Sequence, residues 1–311
     1  MSALLEVLLL RGGYNTSLVM TGAALLGAVG GTVGAFALLR RRALVSDGMS
    51  HATLPGIVLA FLIGHAVMGE GRNFWVLIGG AALAALLGLW CIALLARHTR
   101  LAEDAAIGII LSSFFGAGVV LMTVVQATNL PGQAGLSGYL LGSTAGMIRA
   151  EAEAIAIVST IGLGVAALLH RPLILIAFDE DHARAMGLPA RTLDFALMGL
   201  VLLVVVIGLK AAGLILVVAL LITPAVTARY WTDNAALMAA LAGAIGAVGA
   251  YVGAGLSALA PALPTGALIV LTQFAVLTLS VLFAPGRGVI AEWRRMARLR
   301  RDLTPRHGAT P

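Results

Sequence analysis

The chain has little charge, few aromatic residues, one cysteine and one lysine. Charged residues make up 11% of its 311 positions and aromatic residues 5%, whereas 60% are hydrophobic and the mean hydropathy is +1.02. A soluble domain carries about 25% charged residues, so this composition excludes a soluble protein. The alternating segments and aromatic girdles of a membrane β-barrel are also missing. The fold class predicted is all-α, a polytopic bundle of membrane helices.

These scarcities exclude several functions. A single cysteine, Cys91, excludes a disulfide framework and a thiolate metal cluster within one chain. Lys210, the only lysine, follows leucine, so the chain has no GxxxxGK[ST] loop and cannot be a P-loop ATPase. The formal charge of +6 is explained by basic residues between apolar segments and at the C-terminus, and we expect no nucleic-acid partner.

Nine apolar segments have about the length needed to cross roughly 30 Å of hydrocarbon, which predicts about eight to nine spans. They are Leu18–Leu39, Ser50–Met68, Trp75–Ala96, Ala105–Ala127, Ala152–Leu169, Leu193–Leu209, Leu214–Tyr230, Ala235–Gly253 and Gly266–Ala284. An outside N-terminus puts 16 of the 20 basic residues inside, as the positive-inside rule favours. We predict one transmembrane domain, residues 1–291, and a basic cytoplasmic tail, residues 292–311.

Two glycine-rich stretches interrupt this pattern. The stretch Pro131–Arg149 is predicted to be a short outer or re-entrant helix that does not cross the membrane. The stretch Gly208–Gly213 is predicted to be a tight outer turn between two short spans. The tetrapeptide Gly135–Gly138 has the GxSG form of intramembrane serine proteases, but a single tetrapeptide in a Gly-rich chain is weak evidence for Ser137 as a nucleophile.

Asp47 and His51 are polar residues at the start of an apolar segment. Residues four apart share one face of a helix. A charge at the bilayer centre costs about 2.5 to 3.5 kcal/mol, so such residues usually face a pathway or a partner. A carboxylate oxygen with an imidazole nitrogen suits divalent metals such as manganese, zinc or iron. The alternative is that Asp47 pairs with one of Arg40–Arg42 while His51 bonds a neighbouring helix.

Two further features bear on the Asp47–His51 pair. Pro55 lacks an N–H, so the carbonyl of His51 loses its usual helical donor and either becomes a further oxygen ligand or marks a kink. Two ligands do not complete a metal shell, but two copies or close homologues of the chain would supply four. The pair therefore predicts an assembly as well as a metal site.

The segment Arg171–Arg191 is a second candidate functional region. It has an acidic start at Asp179, which complements the dipole of a short helix, and a stop at Gly187 and Pro189. It is either an ordinary amphipathic helix lying on the membrane or a docking segment for a cytoplasmic partner.

Several motifs together resemble the membrane subunits of bacterial zinc, manganese and iron ABC importers. They are RRRALVSDGMSHATLPGIVLAF (Arg40–Phe61), EDAAIGIILSS (Glu103–Ser113), LLGST (Leu140–Thr144), FDEDHARAMGLPARTLD (Phe178–Asp194) and GLILVVALLITPAVTARYWT (Gly213–Thr232). The likeness runs from about Thr21 to Ala284, and the span arrangement resembles cobalamin and siderophore permeases more distantly.

This resemblance implies a multi-pass permease of the bacterial cytoplasmic (inner) membrane, with no enzymatic activity and no cofactor of its own. Its expected partners are a second permease copy or homologue, two cytoplasmic subunits that bind ATP, and a periplasmic or surface metal-binding protein. It also implies that Asp47 and His51 form the metal route. The coupling segment would comprise Phe178, Asp179, Glu180, Ala183, Met186, Gly187 and Leu188.

A secondary metal transporter driven by an ion gradient is the main alternative. Such transporters often contain inverted repeats and helices broken at the midplane. The two halves of this sequence have no convincing repeat.

Overall fold

The computed structural model describes residues 6–10, 13–69, 71, 73–128, 130–133, 136, 147–260 and 263–303. These residues form helices and connecting turns, and no strand occurs among them. The helices are α1 Tyr14–Leu39, α2 Ala43–Met68, α3 Phe74–His98, α4 Glu103–Ala127, α5 Arg149–Phe178, α6 Glu180–Ala185, α7 Ala190–Leu209, α8 Leu216–Trp231, α9 Ala235–Ser257, α10 Thr265–Phe283 and α11 Val289–Leu303.

Eight of the described helices, α1 to α5, α7, α9 and α10, are long and apolar enough to cross a membrane, and α8 is a shorter apolar helix. This agrees with the predicted all-α membrane bundle. Helices α7 and α8 meet at Gly213, where φ is 78° and ψ is 167°. Glycine adopts a positive φ readily because it has no Cβ. The backbone therefore breaks within the predicted turn Gly208–Gly213.

Helix α5 differs most from its predicted bounds. The prediction ended this span at Leu169 and began a loop at Arg171, whereas the helix continues through Pro172 to Phe178. Leu173 and Ile176 are buried, so packing holds the continuation in place despite the proline. The connection to α7 is correspondingly shorter than predicted, and α6 follows α5 directly.

Helix α1 lies in the middle of the bundle and packs against α5, the α7–α8 pair and α9, whereas α2 packs mainly on α3 and α4. Glycines allow the closest of these approaches. A Cβ added to Gly31 would overlap the carbonyl oxygen of Ala242 on α9, and one added to Gly27 would overlap that of Gly246. The small-xxx-small spacing of Gly27 and Gly31 thus brings α1 and α9 together at backbone distance.

Some predicted features lie outside the described residues. Ser137, most of the stretch Pro131–Arg149 and the motif Leu140–Thr144 belong to this group, as do residues 304–311 of the tail. Helix α11 begins at Val289, three residues before the predicted start of the tail, and carries the exposed Trp293.

We expect Gly31→Ala to destabilise the protein, because the added methyl group forces α1 away from α9. Overpacking of this kind costs about 1 to 3 kcal/mol. Gly164→Ala on α5 is the matched control, since a Cβ there meets open space. Alanine is the better helix former by about 1 kcal/mol, so this control should be neutral or stabilising. Thermal unfolding of the purified protein measures both, and equal melting temperatures would contradict the close approach.

Candidate metal site and coupling segment

Asp47 and His51 lie in the first two turns of α2, which begins regularly at Ala43 and continues through Pro55. Gly48, between them, packs against neighbouring helices: an added Cβ would lie 3.1 Å from Ile107 Cγ2 on α4 and 3.3 Å from Ile92 Cδ1 on α3. This contact fixes one side of α2 at the level of the pair. The pair therefore sits on a helix held between α3 and α4.

The two side chains point at each other. Asp47 Oδ1 is 3.4 Å from His51 Nε2, and the side chains are 35% and 21% exposed. The rings of His51 and Phe115 on α4 are perpendicular, with ring centroids 5.0 Å apart and planes at 90°. The other ring nitrogen, His51 Nδ1, is buried and has no hydrogen-bond partner among the described residues. A buried polar atom without a partner is costly and needs an explanation.

Other polar groups near the pair are satisfied within α2. The Ser50 hydroxyl donates to the Asp47 carbonyl at 2.8 Å, and the Thr53 hydroxyl donates to the Ser50 carbonyl at 2.5 Å. These hydroxyls are buried and bonded to the backbone one turn earlier. The carboxylate of Asp47 and the imidazole of His51 thus remain the groups with free coordinating capacity on this face.

The alternative pairing of Asp47 with an arginine does not occur among the described residues. Arg40 binds Glu180 at 2.6 Å and Asp194 at 2.8 Å, and Arg42 binds Glu103 at 3.0 Å. Arg40 and Arg42 are therefore committed to other carboxylates, and Arg41 forms no ion pair with Asp47 among the described residues. Within the described part of the chain, no group of three or more His, Cys, Asp or Glu residues could hold a metal ion.

The predicted coupling segment folds as a short capped helix. The Asp179 carboxylate caps α6 by accepting from the His182 N–H at 2.8 Å, and the chain turns at Gly187, where φ is 81°. Ala183 is fully buried, and the Leu188 N–H donates to its carbonyl at 3.0 Å. Phe178 and Met186 are each 64% exposed. The segment therefore exposes the apolar side chains of Phe178 and Met186, while the buried Ala183 holds α6 in place.

Arg40 also holds α6 in place, a role that the sequence alone did not indicate. It follows α1 and binds three elements: the Ile176 carbonyl of α5 at 2.8 Å, Glu180 of α6 and Asp194 of α7. Its side chain is only 13% exposed. The hydrogen bond that Arg40 donates to Asp194 is the main cause that raises the pKa of Arg40, and the hydrogen bond that Arg40 donates to Glu180 is the main cause that lowers the pKa of Glu180.

The same arginine lies three residues before α2, so the coupling segment and the Asp47–His51 pair are joined through the short turn Arg40–Arg42. The sequence indicated these ion pairs only through basic residues at the end of one span and acidic residues at the start of others. Their pairing depends on which helix ends meet in three dimensions, which spacing along the chain does not give.

Comparison with known proteins gives consistent matches. The family model described as "ABC 3 transport family" matches residues 14–284. A Bacillus subtilis protein named manganese transport system membrane protein MntC is 41% identical over 92% of this chain, which spans 65% of that relative's length. A Treponema pallidum protein named zinc transport system membrane protein TroC is 38% identical over 91% of this chain and 93% of its own.

A solved structure, "PsaBC from Streptococcus pneumoniae in complex with Fab", superimposes with a TM-score of 0.78. The two chains are 28% identical, and the match covers 93% of this chain and 97% of that one.

We expect Arg40→Gln to loosen α6. A nitroxide on His182→Cys, in a Cys91→Ser background, reports its mobility by electron paramagnetic resonance. Because Arg40 lowers the pKa of Glu180, the ion pair is complete above the ordinary glutamate pKa of about 4.3 and is lost as pH falls through the lowered value. The parent label should therefore stay immobile from pH 7 to 5 and loosen only in stronger acid.

In Arg40→Gln the label should be mobile throughout that range. Arg184→Gln is the control, since Arg184 also binds Glu180 but is 61% exposed. A label equally immobile in all three proteins at pH 7 would show that Arg40 does not hold α6.

Proposed function

The chain belongs to the ABC 3 transport family, and we propose that it forms the membrane pathway of an ATP-driven importer of divalent transition metal ions. Manganese, zinc and iron are the candidate substrates. The names of the relatives support this class, and the donor chemistry of Asp47 and His51 agrees with it. ATP would be bound and hydrolysed by separate cytoplasmic subunits, since this chain has no phosphate-binding loop.

The observation that carries the metal route is the Asp47–His51 pair. Two ligand atoms about 2.1 Å from one metal at a tetrahedral angle are about 3.4 Å apart. This equals the separation between Asp47 Oδ1 and His51 Nε2. A cation bound here would also compensate the cost of placing a carboxylate inside the membrane.

The pair supplies two of the four ligands that such an ion needs, and no third His, Cys, Asp or Glu joins it among the described residues. Both side chains remain partly exposed, so they are accessible from outside this chain. We infer that a second permease, either the same chain or a homologue, contributes the other ligands. The ion would then pass along the interface between the two permeases.

The coupling segment supplies the connection to ATP hydrolysis in this proposal. Phe178 and Met186 offer apolar contacts to a cytoplasmic ATPase, and Arg40 ties α6 to the turn before α2. Movement of the ATPases would thus reach the helix that carries Asp47 and His51. A metal-binding protein outside the cell would deliver the ion at the opposite face, and the host membrane would be the bacterial inner membrane.

Family membership favours this function over a secondary transporter driven by an ion gradient. The two are separated by co-purification and by nucleotide dependence. The importer should bring down an ATPase, and uptake should stop when the nucleotide site of that partner is inactivated. Uptake that continues with the inactive partner would contradict the proposal.

We expect Asp47→Asn and His51→Ala each to reduce metal uptake at least tenfold, because each removes one ligand from every permease of the pair. Loss of a ligand should leave assembly intact, so both variants should still co-purify with the ATPase. Asp104→Asn is the control: this exposed carboxylate lies in the first turn of α4 and forms no ion pair with His51 among the described residues. Radioactive metal uptake into cells measures the effect, and near-normal uptake in both site variants would exclude the metal route.

A further inference from the structure

A cavity lies between α3 and the start of α7, and neither Asp47 nor His51 lines it. It has a volume of about 590 Å³. Its walls are apolar and include Leu86, Trp90 and Leu94 of α3 with Phe195 and Met198 of α7. Trp90 is 59% exposed and Phe195 is 60% exposed. The groove therefore carries a large apolar surface that no described residue covers.

Charged residues close one end of the groove. Arg97 lies in the last turn of α3 and Arg191 in the first turn of α7. Arg42 and its partners Glu103 and Asp194 line the same end of the groove. A neighbouring cavity of about 470 Å³ shares Arg42, Arg97, Arg191 and Asp194, so the charged end is continuous with the base of α6. The arginines thus gather at the helix ends on the side that the charge distribution places in the cytoplasm.

The two carboxylates at this end are already occupied. Glu103 binds Arg42 at 3.0 Å, and Asp194 binds Arg40 at 2.8 Å and Arg42 at 3.5 Å. Across the described residues, the side chains of Arg97 and Arg191 make no hydrogen bond and no ion pair. Two unpaired guanidinium groups therefore line the groove.

The dimensions fit an amphiphile rather than a small soluble anion. From Leu86 to Arg97 the helix rises about 16 Å, since each residue adds about 1.5 Å. One leaflet contributes about half of the roughly 30 Å hydrocarbon core. A molecule with an anionic head at the arginines and an acyl chain along α3 would fill both parts of the groove.

We propose that this groove binds an anionic glycerophospholipid of the cytoplasmic leaflet. Arg97 and Arg191 hold the phosphodiester, since guanidinium groups bind phosphate through paired N–H donors. The acyl chain lies against Leu86, Trp90 and Phe195. Basic pockets between helices at the cytoplasmic side recognise lipid headgroups in this way.

The position of Trp90 allows a direct test. The full-length permease, assembled with its partner subunits, is placed in nanodiscs with Trp75, Trp231 and Trp293 changed to Phe, so that Trp90 is the remaining tryptophan of this chain. The same complex with Trp90→Phe as well gives the signal of the partner subunits, which is subtracted. Brominated phosphatidylglycerol or brominated phosphatidylcholine is added at a low, equal mole fraction to a phosphatidylcholine background. Bromine quenches tryptophan on contact, so quenching reports which lipid occupies the groove.

Quenching should require at least about fivefold less phosphatidylglycerol than phosphatidylcholine, as expected for attraction to arginine. Arg97→Gln with Arg191→Gln should abolish this preference. Arg294→Gln with Arg295→Gln removes the same amount of charge from α11 and should leave the preference for phosphatidylglycerol unchanged. Native mass spectrometry of the complex with all tryptophans restored gives a second measurement, in which the first double variant retains less phosphatidylglycerol.

Three outcomes would overturn the proposal. Equal quenching by the two lipids, or a preference that survives in Arg97→Gln/Arg191→Gln, would exclude recognition by these arginines. Loss of quenching on addition of soluble glycerol phosphate would indicate a site for a free anion. Absence of quenching by either lipid would mean that a protein partner covers this face.

Discussion

A carboxylate and an imidazole half-buried in an apolar helix are unfavourable unless something compensates them, and the proposed mechanism depends on that constraint. Asp47 and His51 lie 3.4 Å apart, which is too long for a good hydrogen bond between them. Among the described ion pairs, neither Arg40 nor Arg42 compensates the charge of Asp47. Among the described residues, His51 Nδ1 is buried without a hydrogen-bond partner. In the proposed mechanism, a passing cation and a second permease would supply the missing ligands and charge, so that burial, assembly and transport would follow from the same requirement.

The ion pairs of Arg40 connect the turn before this site to α6 and α7. One buried guanidinium joins the end of α5, the base of α6 and the start of α7, next to the turn that leads into α2. In the proposed mechanism, this arrangement would transmit a displacement of α6 to α2. Arg97 and Arg191 line the same cavity as Arg40 and Glu180, so the proposed lipid site would adjoin this network.

Composition and hydropathy were sufficient to predict the membrane class, the nine apolar helices and the break near Gly213, because each depends on local sequence. The spacing of Asp47 and His51 likewise predicted their shared face. The continuation of α5 through Pro172 was missed, since buried packing of Leu173 and Ile176 outweighs the local effect of proline. The partners of Arg40 were missed because they lie about 140 and 154 positions away along the chain.

The most direct test of a shared metal site is the number of ions bound per permease, together with their ligands. X-ray absorption and elemental analysis of the purified, manganese- or zinc-loaded complex would measure both. The account predicts one ion for every two permease chains, with imidazole nitrogen in its shell, and no bound ion when Asp47 is replaced by Asn. One ion per chain, or a shell without imidazole, would contradict it.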